Sequence, residues 1–298
     1  MTMTTVERFE EHRDLLIGVA YRILGSAADA EDVVQEAWLR WSGVDADVVE
    51  DDRAYLIRVT TRLSIDRLRR IGARRESYVG EWLPEPVATA PGVDERVELT
   101  TSVELALLVV LETLSPLERA VFVLREAFGL PYAEIGEAIG RGEATARQLG
   151  RRARRHVEER RPRFDVDRAR RREITERFVG AAAGGDLEGL ISMLTADATL
   201  VGDGGGKARA PLRTVGGAEK IARLLTSIAS EAGARRFLDS IGVTATGGVA
   251  VEFPEVNGAP AAVVTAGGRP VTLFSLVIRD GLIETVYLIS NPEKLSRL

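Results

Sequence analysis

Cysteine is absent from the 298 residues, which excludes disulfides and any Cys-based metal or redox site. Histidine occurs twice, at His12 and His156, so one chain cannot build a His-rich metal centre. Lysine occurs three times, at Lys207, Lys220 and Lys294, and arginine carries the rest of the positive charge. No apolar run approaches the roughly 18–20 residues that a membrane helix needs, so no membrane span is expected. Residues 1–11 are polar and acidic, unlike the basic-then-apolar start of a secretory leader. These absences lead to the expectation of a cytoplasmic chain without metal or cofactor.

Hydrophobic residues make up 45% of the chain, an ordinary share for globular folding, and the length suits two or three domains. A net charge of −5 argues at first sight against a nucleic-acid partner, but the distribution matters more than the sum. Residues 53–75 hold eight arginines and one acid, Asp66. Residues 141–163 hold nine arginines and three acids. Acids crowd instead into residues 7–14, 29–36 and 45–52. One basic run alone reads as a solvated face. Two such runs, each on a helix by pattern, point to nucleic acid.

The second run belongs to a recognisable unit. A short amphipathic helix over 132–139 is followed by Gly140-Arg141-Gly142, and a second helix starts near Glu143. Two helices joined by a short Gly-containing turn form a helix-turn-helix. At 100° per residue, Ala146, Leu149, Gly150, Ala153 and Val157 share one face of the second helix. Ala144, Gln148, Arg151 and Arg155 share the opposite face, with Arg152 on its flank. Arg pairs bidentately with guanine and Gln with adenine, so this outer face suits DNA readout.

The remaining pattern is helical before about residue 162 and mixed after it. Residues 6–24 predict one helix ending at Gly25. Ser26 then caps a helix over 27–41 that buries Ala30, Val33, Val34, Ala37 and Trp41. Its polar side carries Asp29, Asp32, Glu36 and Arg40. A long helix follows over 54–72. Pro84, Pro86 and Pro91 keep the next stretch extended, and Trp82 and Leu83 predict that it packs against something. Residues 95–114 predict an apolar helix, and Ser115-Pro116-Leu117-Glu118 reads as a capped helix start. Beyond 165, helices over 167–183, 187–194 and 218–232 accompany strands near 198–201, 237–246, 249–253, 261–265, 271–278 and 283–290. Helices with a run of strands predict a separate α+β domain with an antiparallel sheet.

At this point the residues resemble a known family. Residues 29–40, the arginine-rich helix and the helix-turn-helix resemble an extracytoplasmic-function sigma factor, group four of the sigma-70 type. The C-terminal part resembles a SnoaL-like, cone-shaped α+β domain. The resemblance implies a multidomain fold. Residues 1–75 would form region two, 76–94 a Trp/Pro linker, 95–164 region four and 165–298 a SnoaL-like regulatory domain. Three motifs match a subgroup with that extension: Trp82-Leu83-Pro84-Glu85-Pro86, Asp203-Gly204-Gly205-Gly206-Lys207 and Asn291-Pro292-Glu293-Lys294.

The implied partners are core RNA polymerase and promoter DNA. Asp29, Asp32, Gln35 and Glu36 would meet the polymerase. Arg58, Arg62, Arg67, Arg69 and Arg70 would take the minus-ten element through phosphates and unpaired bases. Ala144, Gln148, Arg151, Arg152 and Arg155 would take the minus-thirty-five element. Two of the three lysines fall in the subgroup motifs, so Lys207 and Lys294 are expected to meet the Trp82–Pro86 segment at a seam with the sigma core. Gly150 and Ala146 depart from the family, many members of which carry larger aliphatic residues there. Two other functions compete: a one-component, ligand-sensing helix-turn-helix regulator, and a SnoaL-type cyclase or isomerase. The first leaves the 27–41 helix unexplained. The second needs a positioned acid or base, and residues 165–298 contain no histidine. Asp203–Lys207 is not a phosphate loop, since Ala208 follows the lysine. The expectation is a non-enzyme whose third domain leaves room for a small ligand of unstated chemistry.

Overall fold

A computed structural model of the chain describes residues 3–45, 48–75, 77–89, 103–160, 167–243 and 248–298. Two compact units emerge. One combines Met1–Glu76 with Pro91–Arg161; the other combines Ser77–Ala90 with Pro162–Leu298.

The first unit is helical. It begins with α1 (Thr5–Glu10) and α2 (Arg13–Leu24), where the sequence predicted one helix. The break at Glu11-His12 tips α1 so that Phe9 meets the Trp38 ring edge-on, with centroids 5.1 Å apart. The indole N–H of Trp41 then donates to the Thr5 carbonyl at 2.9 Å. Gly25 closes α2 in the left-handed region, φ 71°. The next helix, α3 (Ala27–Trp41), is capped by Ser26 and buries Ala30, Val33, Val34, Ala37 and Trp41. The long α4 (Asp52–Arg75) buries Leu56, Ile57, Leu63 and Ile65, and also the small polar Thr60, Thr61 and Ser64.

Of the predicted helix over 95–114, residues 95–102 lie outside the described residues. The described part is α5 (Leu105–Glu112). Ser115 and Glu118 form a reciprocal capping box at the start of α6 (Pro116–Phe122), which continues as a π-helical segment over Val123–Ala127. The helix-turn-helix is α7 (Tyr132–Ile139), Gly140 at φ 68°, and α8 (Glu143–Arg160).

The second unit is α+β. Asp167 caps α9 (Arg168–Gly184), and Asp186 caps α10 (Leu187–Met193), which runs into β1 (Leu194–Asp203). After β2 (Val215–Gly216) come α11 (Ala218–Ala229) and α12 (Glu231–Ser240). Five strands follow: β3 (Val249–Glu252), β4 (Glu255–Val256), β5 (Ala259–Ala266), β6 (Arg269–Arg279) and β7 (Leu282–Ile289). The order is β2-β1-β7-β6-β5-β3, with β4 on β5. Phe178 of α9, Leu190 of α10 and Ile221 of α11 pack with Leu200, Leu276 and Val286 of the sheet. Full burial of one such side chain contributes about 2–3 kcal/mol. Helices filling one face of a sheet give the cone-shaped α+β fold that the resemblance implies.

Two expectations in this unit are corrected. The sheet is mixed, because β1 and β7 pair in parallel. A parallel neighbour needs a long crossover, and the chain between these two strands supplies it. The strand expected near 237–246 is absent where described: Phe237–Ser240 ends α12, and 244–247 lie outside the described residues. Ser230 explains the misreading. It is extended, at φ −60° and ψ 152°, so it ends α11 and caps α12 by accepting from the Gly233 N–H. No described helix is long and apolar enough to cross a membrane.

Candidate nucleic-acid interface and linker clasp

The inner face of α8 buries Ala146, Gly150, Ala153 and Val157. Its small residues admit a ring: a Cβ at Gly150 would lie within 2.8 Å of the Tyr132 ring. The outer face leaves Ala144, Gln148, Arg151, Arg152 and Arg155 exposed. Carboxylate pairing separates these arginines from their neighbours. Arg147 pairs with Glu143, and Arg154 pairs with Glu126 at 2.7 Å. Arg151, Arg152 and Arg155 make no ion pair among the described residues. Three unneutralised guanidiniums and one amide on a single helix face match the donor requirements of a DNA groove and backbone.

The arginines of α4 are more committed. Arg58 lies over the Tyr55 ring at 5.3 Å, and that ring packs 5.6 Å from Trp41. Arg62 donates to two carbonyls at the end of α7, Glu137 at 2.8 Å and Ala138 at 3.1 Å. A guanidinium at a helix C-terminus satisfies free carbonyls and complements the helix dipole. Arg67 bridges Asp29 at 2.5 Å and Asp32 at 2.8 Å. Burial opposes its charge, but the two carboxylates prevail and raise its pKa. Arg69 pairs with Asp66, and Arg70 donates to the Asp66 carbonyl. On α3, Gln35 is exposed, Glu36 pairs with Arg40 at 2.8 Å, and Asp32 keeps 60% of its side chain in solvent. The acidic face and the basic helix are thus joined through Arg67.

The three short motifs meet inside the second unit. Asp203 is fully buried at the end of β1. One carboxylate oxygen accepts from the Tyr78 hydroxyl at 2.5 Å. The other accepts from the Leu83 amide at 2.9 Å and from Lys294 Nζ at 2.6 Å. Lys294 also donates to the Leu83 carbonyl and sits 3.2 Å from the centroid of the Trp82 ring. The Asn291 amide donates to the Tyr78 hydroxyl at 3.0 Å. Burial, then the Asp203 carboxylate, pushes the Tyr78 pKa well above the ordinary phenol value. Leu83 and Pro84 are buried beside this cluster. Farther along, Arg297 pairs with Glu85 at 3.2 Å, and Val87 donates to the Asn257 side chain at 3.1 Å. Lys207 is half exposed and pairs with Glu293, just after Pro292. The clasp therefore holds residues 78–87 onto β1 and the segment after β7.

Comparison with known proteins places these features in a family. The family model for Sigma-70 region 2 matches residues 8–75, and that for Sigma-70 region 4 matches residues 104–157. The ECF RNA polymerase sigma factor SigJ of Mycobacterium tuberculosis is 39% identical over 97% of this chain and 92% of its own. The crystal structure of SigJ superposes with a TM-score of 0.75 at 37% identity, covering 98% of each chain. The probable sigma factor SigI from the same species is 42% identical over 61% of this chain and 64% of its own. The chain belongs to the extracytoplasmic-function sigma factors.

Sequence reading of this sigma factor missed two kinds of residue. Tyr78 lies just ahead of the Trp82 motif, and nothing in its local pattern marks it as a ligand of Asp203. Arg119 is fully buried, donating from Nε to the Arg22 carbonyl at 3.1 Å and pairing with Glu112 at 2.8 Å. An arginine directly ahead of the apolar Ala120 and Val121 was its only signal. Arg22 is itself buried, and loss of solvent pulls its pKa down to about 10.

Proposed function

We propose that this sigma factor joins core RNA polymerase through α3, reads the minus-ten element with α4 and reads the minus-thirty-five element with the outer face of α8. The supporting observation is the division of charge on α8: Arg147 and Arg154 are neutralised by Glu143 and Glu126, whereas Arg151, Arg152 and Arg155 are not. Asp29, Asp32, Gln35 and Glu36 form the polymerase contact. Arg58, Arg62, Arg67, Arg69 and Arg70 form the minus-ten contact, with Arg62 and Arg67 exchanging their internal partners for DNA and polymerase. Ala144, Gln148, Arg151, Arg152 and Arg155 form the upstream contact. The chain acts as a transcription factor rather than an enzyme, and its site of action is the cytoplasm. Residues 1–75, 95–164 and 165–298 serve as region two, region four and a regulatory domain. Trp82, Leu83, Pro84, Asp203, Lys207, Asn291, Pro292 and Lys294 are the interdomain regulatory set. Through them the regulatory domain controls the linker over 76–94.

Run-off transcription and filter binding with reconstituted holoenzyme test this reading. Arg151→Ala and Arg155→Ala each reduce the slope of log affinity against log salt by about 1, while Arg154→Ala leaves it unchanged. Combined Asp32→Lys and Glu36→Lys abolishes core binding. Full core affinity in that variant, or unaltered salt slopes in the others, removes the corresponding assignment.

A further inference from the structure

The second unit encloses an apolar cavity of about 190 Å³ between α9, α11, α12 and the sheet. Phe178, Leu225, Phe237 and Phe274 contribute to its walls. Val249 and Val251 of the edge strand β3 also line it, yet remain 55% and 37% exposed, so they mark its mouth. An engineered protein cavity of about 150 Å³ lined by apolar side chains stays dry and takes up benzene. This volume therefore suits a ring or chain of about six to ten carbons.

The polar residues lining the cavity are Arg209, Thr272 and Ser290. β1 and β7 run parallel and finish side by side, and the Ser290 amide donates to the Asp203 carbonyl at 2.8 Å. Ser290 follows β7, and the loop bearing Arg209 follows β1. Ser290 and Thr272 face each other with hydroxyl oxygens 3.1 Å apart. Thr272 gives its proton to the Val271 carbonyl at 2.8 Å, so the Ser290 hydroxyl donates to Thr272 and its one proton is already placed. Arg209 lines the cavity and the groove beside it, where Arg236 joins it. Neither arginine has an ion pair among the described residues, and no carboxylate lines either space. Two unneutralised guanidiniums with no carboxylate beside them select an anion.

We propose that this cavity binds a small amphipathic carboxylate, with its hydrocarbon part among the apolar walls and its head group on Arg209. The site adjoins the clasp. Ser290 precedes Asn291, which holds the Tyr78 hydroxyl, and the Asp203 carbonyl accepts from the amides of both. A molecule filling the cavity therefore packs on Ser290, whose backbone carries the clasp. The test reads binding alone, so it stands apart from the assignment of promoter contacts.

Octanoate is the probe, 1-octanol its uncharged counterpart, and titration calorimetry on the full chain the measurement. Octanoate binds at one saturable site, and Arg209→Gln weakens it about tenfold while leaving octanol unchanged. Ala182→Phe, which fills the cavity from a half-exposed position on α9, removes binding of both. Ala234→Leu, from α12, weakens both and guards against misfolding of the first variant. Bound octanoate slows amide exchange at residues 83–87. Absence of saturable octanoate binding overturns the proposal. So does octanoate affinity that survives Ala182→Phe in a folded protein, or equal losses for both probes in Arg209→Gln. Unchanged exchange at 83–87 overturns the link to the clasp.

Discussion

The ring of Tyr132 fills the space that a side chain at Gly150 would occupy. A Cβ there would lie 2.7 Å from the Tyr132 hydroxyl oxygen and 2.8 Å from Cε1. Arg125 and Arg147 flank the same ring at 5.0 and 5.4 Å. Glycine inside a helix costs about 1 kcal/mol relative to alanine, so propensity alone favours Gly150→Ala. Overpacking costs about 1–3 kcal/mol and opposes it. Gly150→Ala is expected to lower the melting temperature, and to raise it in a Tyr132→Ala background. Thermal unfolding of the four proteins checks this; the same sign in both backgrounds rules out the steric account.

Lys294 and Asp203 form a buried ion pair, with side chains 6% and 0% exposed. Removing one member of such a pair strands the other charge away from water and typically costs about 3–5 kcal/mol. Lys294→Met is expected to destabilise the second unit by that amount and to release residues 78–87. Lys207→Ala, at an exposed pair, changes stability by less than about 1 kcal/mol. Denaturant unfolding with hydrogen exchange at 78–87 separates the two. Equal effects would mean that the pair is not what holds the segment.

Arg62 joins α4 to the end of α7 with two charge-assisted hydrogen bonds. Bonds of this kind contribute about 1.5–3 kcal/mol each. Arg62→Ala is expected to loosen α7 from α4 without unfolding either helix. Proteolysis at residues 140–142 should then quicken while helical circular dichroism holds. Unchanged cleavage means that other contacts hold the two helices together.

Tyr78 and Tyr287 are both harder to ionise in the folded chain. Burial, with help from Glu284, pushes Tyr287 up to about 12. Burial and Asp203 act in the same direction on Tyr78. A phenol whose folded pKa is raised stabilises the protein below the unfolded value near 10, and that contribution drains away as pH climbs toward the folded value. For Tyr287 alone it amounts to roughly 2–3 kcal/mol. An alkaline titration should show Tyr78 and Tyr287 ionising only as structure is lost. Ionisation of both with circular dichroism intact would contradict this.

Local signals were legible wherever one element decides the outcome. The buried positions of α3, the capping box at Ser115 and both helices around Gly140 follow from periodicity and caps. Features decided by distant partners were not. Phe237 sits in a β-like run, yet Ser230 restarts a helix ahead of it, and Leu238 then packs on Ala266 and Val271. The parallel pairing of β1 with β7 depends on the whole chain between them. Trp82 and Leu83 signalled that their segment packs, but its partner Asp203 lies 120 residues beyond Leu83. A buried lysine has no local signature at all. Lys294 drew notice because lysine is rare in this chain and because it ends the Asn291–Lys294 motif.

The clasp imposes an order on synthesis. Leu83 and Lys294 are 211 residues apart, and the helix-turn-helix lies between them. Domains fold largely in the order in which they leave the ribosome. Each new molecule therefore completes its helix-turn-helix before the lysine that fastens residues 78–87 has been made. Every copy passes once through an unfastened state, in which residues 78–87 still lack the lysine that holds them.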